Sequence, residues 1–212
     1  MEALAIPIVG ALGVGHIVAR YADAPRVAGV LKPLPIAVLA VMVWQGPPLD
    51  ARYSTLVVAG LVCSMVGDVC LLFPGRFVVG LASFLVAHLF YIAAFAAGAH
   101  RGTRGVTFLA PFLALAAVLI GALWRRVKEL RLPVVAYVTV ITAMGWQAAA
   151  RAVAPLTPEP SGTHALAGAL LFMTSDALLA FDRFIRPFRV ADAAVMATYY
   201  TAQALIALST MG

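Results

Sequence analysis

The segment Leu61–Phe77, LVCSMVGDVCLLFPGRF, reads as a membrane-spanning helix, yet a carboxyl group, Asp68, interrupts its apolar run. The same combination returns at Gly168–Phe184, GALLFMTSDALLAFDRF, where Asp176 lies inside a second apolar run. Placing such a residue at the centre of a membrane helix costs about 2.5–3.5 kcal/mol on insertion scales. A chain that bears this cost twice is expected to use both carboxyl groups.

The composition indicates an integral membrane protein. Of the 212 residues, 63% are hydrophobic and 11% are charged, and the mean hydropathy is +0.99. Soluble domains average about 45–50% apolar and about 25% charged residues. We expect a single transmembrane domain over residues 1–212, because the longest polar insert, 155–163, is too short for a second one. The first apolar segment follows Glu2 and has no basic region before it, which favours a retained span over a cleaved signal peptide.

Segments of about 20 mostly apolar residues, the length that crosses a bilayer, occur eight times. The sequence therefore predicts an all-α, polytopic membrane protein, a bundle of eight transmembrane helices. The predicted spans are 3–19, 27–45, 53–73, 77–98, 105–124, 132–153, 163–182 and 189–211.

The basic residues predict the orientation. Ten of the 15 lysines and arginines fall in the first, third, fifth and seventh loops, four fall in the even loops, and Lys32 lies within a span. By the positive-inside rule the odd loops are cytoplasmic and both termini are outside. The formal net charge of +6 is thus explained by topology, and no nucleic-acid partner is expected. The Ala-, Val- and Arg-rich composition points to a bacterial cytoplasmic membrane.

Polar residues inside the spans favour one half of the membrane. In this orientation they lie in the cytoplasmic half or near the middle, and they come from six different spans. Helical spacing places several on shared faces, such as Phe84, His88 and Tyr91, or Phe172 and Asp176. Convergence on one cavity open to the cytoplasm explains the bias. The intramembrane polar residues concerned are Lys32, Asp68, His88, Tyr137, Asp176, Tyr199, Tyr200 and Gln203.

Structural roles remain open for these residues. Asp68 and Asp176 could form buried ion pairs with Lys32, and Lys32 could instead extend to the cytoplasmic surface. His16 and His88 could simply hydrogen-bond between helices. Four dispersed histidines show no metal-ligand spacing, so no metal or other cofactor is expected. Cys63 and Cys70 are expected to be small packing residues.

Taken in order, these residues resemble the YhhN family, whose animal members are the TMEM86 lysoplasmalogenases. The resemblance covers nearly the whole chain. It implies a membrane hydrolase that cleaves the vinyl ether bond of lysoplasmalogens, with Asp68 and Asp176 as the catalytic pair. The matching positions are Lys32-Pro33, Gly67-Asp68, Phe77, Gly80, Phe84, His88, Tyr91, Tyr137, Ser175-Asp176, Arg183-Phe184, Tyr199-Tyr200 and Gln203.

Two neighbouring carboxyl groups suit this chemistry. Vinyl ether hydrolysis begins with protonation of an alkene carbon, and water then adds to the resulting oxocarbenium ion. It needs one protonated carboxylic acid and a second group that activates water or steadies the cation, the division of labour that glycosidases use. Which of Asp68 and Asp176 is the acid stays open. The residues expected to hold substrate and water are Lys32, His88, Tyr91, Tyr137, Ser175, Tyr199, Tyr200 and Gln203.

Alternatives from other classes are weaker. An intramembrane aspartyl protease also pairs two aspartates, but the sequence MVGD lacks the first glycine of the GxGD motif and no PAL motif follows. A proton-coupled transporter would use intramembrane carboxyl groups to carry protons. The expected partners are a lysophospholipid within the bilayer, or a related ether lipid, together with water and the membrane lipids. The protein itself is expected to be a monomer or homodimer.

Overall fold

The structure, a computed structural model, describes residues 2–97, 108–154, 158 and 160–211. Within these ranges every regular element is a helix. Six helical segments are long and apolar enough to cross a membrane. A shorter apolar helix and the 18-residue last helix account for the two remaining predicted spans. The expectation of an all-α polytopic membrane bundle is confirmed.

The helix bounds follow the predicted spans closely. Among the connections that the described residues cover, two have regular structure: a 3₁₀ turn at Lys128–Leu130 and a π-helical turn at Phe181–Ile185. The helices are α1 Glu2–Tyr21, α2 Pro25–Leu31, α3 Leu34–Gln45, α4 Ala51–Cys70, α5 Phe77–Ala96, α6 Leu109–Leu123, α7 Arg131–Ala152, α8 Ser161–Ala180 and α9 Ala191–Leu208.

The second predicted span, 27–45, forms one apolar segment, Pro25–Gln45, with a short break in its helix at Lys32 and Pro33. Helix α2 ends at Leu31 and α3 begins at Leu34, because Pro33 has no backbone N–H and restricts the residue before it. The backbone carbonyl of Lys32 faces the break and accepts a hydrogen bond from the Tyr200 hydroxyl at 3.0 Å. The break thus places Lys32 at a turn inside the bundle, although its own backbone keeps right-handed helical dihedral angles.

Small residues on α4 let the neighbouring helix α5 approach closely. A Cβ on Gly67 would lie 2.7 Å from the Phe84 ring, and a Cβ on Gly60 would overlap the Tyr91 ring. Phe84 and Tyr91 are thereby pressed against α4 at the levels of the glycines. Phe84, His88 and Tyr91, which the sequence places on one face of α5, are buried, and so is Gly80.

Three histidines and one span boundary can be compared with the sequence prediction. Helix α8 begins at Ser161, two residues before the predicted start of the seventh span, and His164 lies in its first turn. His100 and residues 105–107 of the fifth predicted span fall outside the described residues. His16 acts between helices as anticipated, since its Nδ1 lies 2.9 Å from the Ala28 carbonyl oxygen of α2.

Candidate functional site: two buried carboxyl groups beside two cavities

Asp68 lies on α4, two residues before its last residue, and only 1% of it is exposed. The Tyr199 hydroxyl of α9 donates a hydrogen bond to its Oδ2 at 2.8 Å. Lys32 Nζ, at the break between α2 and α3, lies 3.9 Å from Oδ1. Oδ1 is buried, and among the described residues no hydrogen bond reaches it, so Lys32 is its recorded charged neighbour.

Asp176 lies on α8 and is held by residues of α5 and α7. The Tyr137 hydroxyl donates a hydrogen bond to its Oδ2 at 2.7 Å, and His88 Nε2 lies 3.7 Å from the same oxygen. Its side chain is 17% exposed. Within the described part of the chain, no lysine or arginine nitrogen comes within 4.0 Å of its carboxylate. The two carboxyl groups therefore have different surroundings: Asp68 faces a cation, and Asp176 does not.

Phe172, one turn before Asp176 on α8, connects the two carboxyl environments. Its ring centroid lies 5.5 Å from that of Tyr199, which contacts Asp68, and 4.6 Å from that of His88, which contacts Asp176. Phe172 is fully buried, so it limits how far either partner can move. Both carboxyl groups are thus fixed by one packed aromatic layer.

A polar cavity of about 280 Å³ brings the two carboxyl groups to one space. Asp68 and Asp176 line it, and Ser175 and Tyr199 form part of the same wall. The charged side chains around it come from α1, α4, α8, α9, the α2–α3 break and the segment between α8 and α9. They are Arg20, Lys32, Asp68, Asp176, Asp182, Arg189 and Asp192.

A second cavity, of about 290 Å³, is almost entirely apolar. It lies between α5, α6, α7 and α8, and Asp176 and Tyr137 are its main polar contacts. Asp176 and Leu179 line both cavities and form a wall between them. A carboxyl group thus stands where a polar compartment meets an apolar one.

The predicted substrate-binding residues divide into two groups. Lys32, Ser175 and Tyr199 line the polar cavity, and Tyr137 lines the apolar one. The second group, His88, Tyr91, Tyr200 and Gln203, is absent from the described lining of either cavity.

This second group lies behind the cavities, where it supports the residues that line them. Tyr91 donates a hydrogen bond to Gln203 Oε1 at 2.7 Å. Tyr200 holds the Lys32 carbonyl, and His88 approaches Asp176. Ser175 lines the polar cavity, but its hydroxyl donates a hydrogen bond to the Val195 carbonyl of α9 at 3.0 Å.

Sequence reasoning missed the charged rim of the polar cavity. Arg20 Nε donates to Asp192 Oδ2 at 3.0 Å, which links the end of α1 to the start of α9. Asp182 accepts a hydrogen bond from the Phe188 backbone N–H at 3.1 Å, and Arg189 completes the rim. In the sequence these charged residues stand at the predicted cytoplasmic ends of helices. Charged residues are common at such positions in any membrane protein, so this placement did not mark them as part of a site.

The described residues contain no group of three or more His, Cys, Asp or Glu side chains placed to hold a metal ion. Cys63 and Cys70 are free thiols.

Fold and site together define a class: a helical integral membrane protein with two buried carboxyl groups beside a polar and an apolar cavity. Comparison with known proteins identifies the family. The model of the YhhN family matches residues 27–210, and this chain belongs to that family.

Relatives of known name are found in animals and bacteria. The Homo sapiens protein named lysoplasmalogenase TMEM86B is 39% identical over 185 residues, which cover 87% of this chain and 75% of the relative. Lysoplasmalogenase TMEM86A of Bos taurus is 34% identical over 198 residues, covering 87% and 78%. The Escherichia coli O157:H7 membrane protein YhhN is 31% identical over 185 residues, covering 85% of each chain. No solved structure matches significantly.

Proposed function

We propose that this protein is a membrane lysoplasmalogenase that cleaves the vinyl ether bond of a lysoplasmalogen, with Asp68 and Asp176 as its acid–base pair. The observation that carries the proposal is the shared polar cavity lined by both buried carboxyl groups. The names of the animal relatives support the same substrate class. The concentration of basic residues in the odd loops supports a cavity that opens to the cytoplasm, with both termini outside.

The reaction consumes one water. A proton adds to the alkene carbon farther from the ether oxygen, and the adjoining carbon becomes part of an oxocarbenium ion. Water attacks that carbon and loses a proton, which gives a hemiacetal. The hemiacetal then expels the glycerol oxygen, which takes up a proton, and a fatty aldehyde and the glycerophospho-alcohol leave. No redox partner is needed.

The geometry favours Asp176 as the acid. Its recorded polar contacts among the described residues are the Tyr137 hydroxyl and His88, whereas the cation Lys32 lies beside Asp68. A carboxyl group without a cation in a water-poor site favours its neutral form. Asp176 also borders the apolar cavity, where the alkene carbon of a lipid would lie.

Asp68 has the surroundings of the base. Lys32 at 3.9 Å and the Tyr199 hydroxyl at 2.8 Å both stabilise a negative charge on its oxygens. Asp68 lines the polar cavity, and no described residue donates a hydrogen bond to its Oδ1. In this role Asp68 accepts the proton of the attacking water and steadies the oxocarbenium ion.

The test is fatty aldehyde release by purified Asp68→Asn and Asp176→Asn variants, measured by mass spectrometry with an alkenyl lysophosphoethanolamine. General acid–base catalysis contributes about 10²–10⁴-fold, so each variant is expected to fall to about a hundredth of wild-type activity or below. Asp23→Asn, in an exposed turn where the backbone φ is 54°, is the matched control. A folded variant of Asp68 or Asp176 with full activity would refute the pair.

A further inference from the structure

The two cavities meet at Asp176, and we infer that they divide one lipid between them. The single alkenyl chain lies in the apolar cavity between α5, α6, α7 and α8. The phosphate lies in the polar cavity against Arg20 and Arg189. This assignment rests on the proposed function, and it adds a chain subsite and a head-group subsite whose residues set specificity.

The apolar cavity has the length and lining that one fatty chain requires. Along α8 its lining residues run from Leu170 to Ala180, which corresponds to roughly 15 Å at 1.5 Å per residue. That is about half of a hydrocarbon core of about 30 Å, the depth that a chain in one leaflet occupies. The facing walls are aliphatic side chains such as Leu119 and Ile141, and they match a hydrocarbon chain in polarity.

The reacting bond then falls at the wall that both cavities share. In a lysoplasmalogen the vinyl ether joins the hydrocarbon chain to the polar glycerol. A chain in the apolar cavity and a head group in the polar cavity bring this junction to Asp176 and Leu179. The same placement leaves Asp68 on the polar side, where the attacking water arrives.

The charges of the polar cavity fit a phosphate that is accompanied by a positive group. Arg20 and Arg189 supply two cations at the rim, in addition to Lys32 beside Asp68. Asp192 holds Arg20 at 3.0 Å, and Asp182 stands at the same rim. A zwitterionic ethanolamine head group can place its phosphate on the arginines and its ammonium near these carboxylates. A purely anionic head group would meet the carboxylates as like charges.

Binding of a saturated alkyl lysophosphoethanolamine, which has no vinyl ether to cleave, tests both subsites without catalysis. The first variant is Leu170→Trp, which adds bulk to the lining of the apolar cavity at its membrane-centre end, at a side chain that is 43% exposed. It is expected to weaken binding of an 18-carbon chain at least tenfold and to leave a 10-carbon chain unchanged. Leu89→Trp, a matched change on an exposed face of α5, is expected to alter neither. Equal loss for both chain lengths, or no loss for the long chain, overturns the chain subsite.

The head-group subsite is tested with Arg20→Gln and Arg189→Gln. Each is expected to weaken binding of the phosphate-bearing lipid about tenfold and to leave the alkyl glycerol without phosphate unaffected. Arg26→Gln removes the same charge from an exposed position outside both cavities and serves as the control. Asp192→Asn is expected to raise the affinity for an anionic lysophosphoglycerol relative to the ethanolamine lipid. Unchanged phosphate dependence in both arginine variants overturns the subsite.

The two proposals fail separately. If wild type releases no aldehyde but the binding pattern holds, the subsites stand and the reaction is wrong. If aldehyde is released while chain length and phosphate have no effect on these variants, the reaction stands and the division of the lipid is wrong.

Discussion

Tyr199→Phe removes one oxygen from the environment of Asp68 and leaves the packing in place. The hydroxyl donates to Asp68 Oδ2 at 2.8 Å, while the ring packs against Phe172 and Phe84 at centroid distances of 5.5 and 5.8 Å. Phenylalanine keeps these ring contacts. The variant therefore isolates the hydrogen bond that orients and stabilises the proposed base.

The size of the effect follows from the charge on the acceptor. A hydrogen bond to a charged group contributes about 1.5–3 kcal/mol, and each 1.4 kcal/mol in a barrier changes a rate about tenfold. If Asp68 acts as the base during water attack, loss of the Tyr199 hydroxyl lowers the rate of aldehyde release roughly ten- to a hundredfold. The substrate concentration at half-maximal rate is expected to change little, because the hydroxyl is committed to Asp68.

The assay is the initial rate of aldehyde release at saturating alkenyl lysophosphoethanolamine, with a thermal unfolding curve for each variant. Tyr53→Phe is the control, since its hydroxyl lies 2.6 Å from Ser209 Oγ in a buried cluster apart from both cavities. It should cost about 0.5–1.5 kcal/mol in stability and leave the rate per folded molecule unchanged. Equal rates for Tyr199→Phe and wild type would refute the role assigned to Asp68.

Two further substitutions probe the elements that build the site. Lys32→Gln removes the cation 3.9 Å from Asp68, so aldehyde release should fall at least tenfold in folded protein; unchanged activity would show that the ion pair is dispensable. Gly67→Ala places a methyl group 2.7 Å from the Phe84 ring, and overpacking of this kind typically costs about 1–3 kcal/mol. Its melting temperature should fall in detergent, and an unchanged value would contradict the close approach of α4 and α5.

The helical bundle could be predicted from the sequence because apolar length and charged or proline-containing breaks are local properties. The interior faces could also be predicted. Phe84, His88 and Tyr91 recur at helical spacing and mix aromatic with hydrogen-bonding groups, and all three are buried. A face exposed to lipid would have been uniformly aliphatic.

The partner of each carboxyl group could not be predicted, because it depends on which helices become neighbours. Tyr137 and Tyr199 looked equivalent in the sequence, yet one contacts Asp176 and the other Asp68. The break at Pro33 was also missed, since a proline inside an apolar run fits either a kinked span or two short helices. In the structure the Tyr200 hydroxyl donates a hydrogen bond to the Lys32 carbonyl at this break.

The rim of the polar cavity was hidden for a different reason. Arg20 and Asp192 lie at helix ends, where charged residues are common in any membrane protein. Their pairing at 3.0 Å across α1 and α9 is a long-range contact that no local pattern indicates. The functional interpretation of this rim therefore depends on the tertiary structure.

The most direct test of the central claim is hydrolysis of an alkenyl lysophosphoethanolamine in D₂O, with the aldehyde trapped at once by reduction. Protonation of the alkene carbon predicts one deuterium on the carbon next to the carbonyl, and no aldehyde from the saturated alkyl analogue. Synthetic aldehyde incubated with the protein in D₂O corrects for exchange. Aldehyde without deuterium at that carbon, or aldehyde from both lipids, would contradict carbon protonation by a buried carboxylic acid.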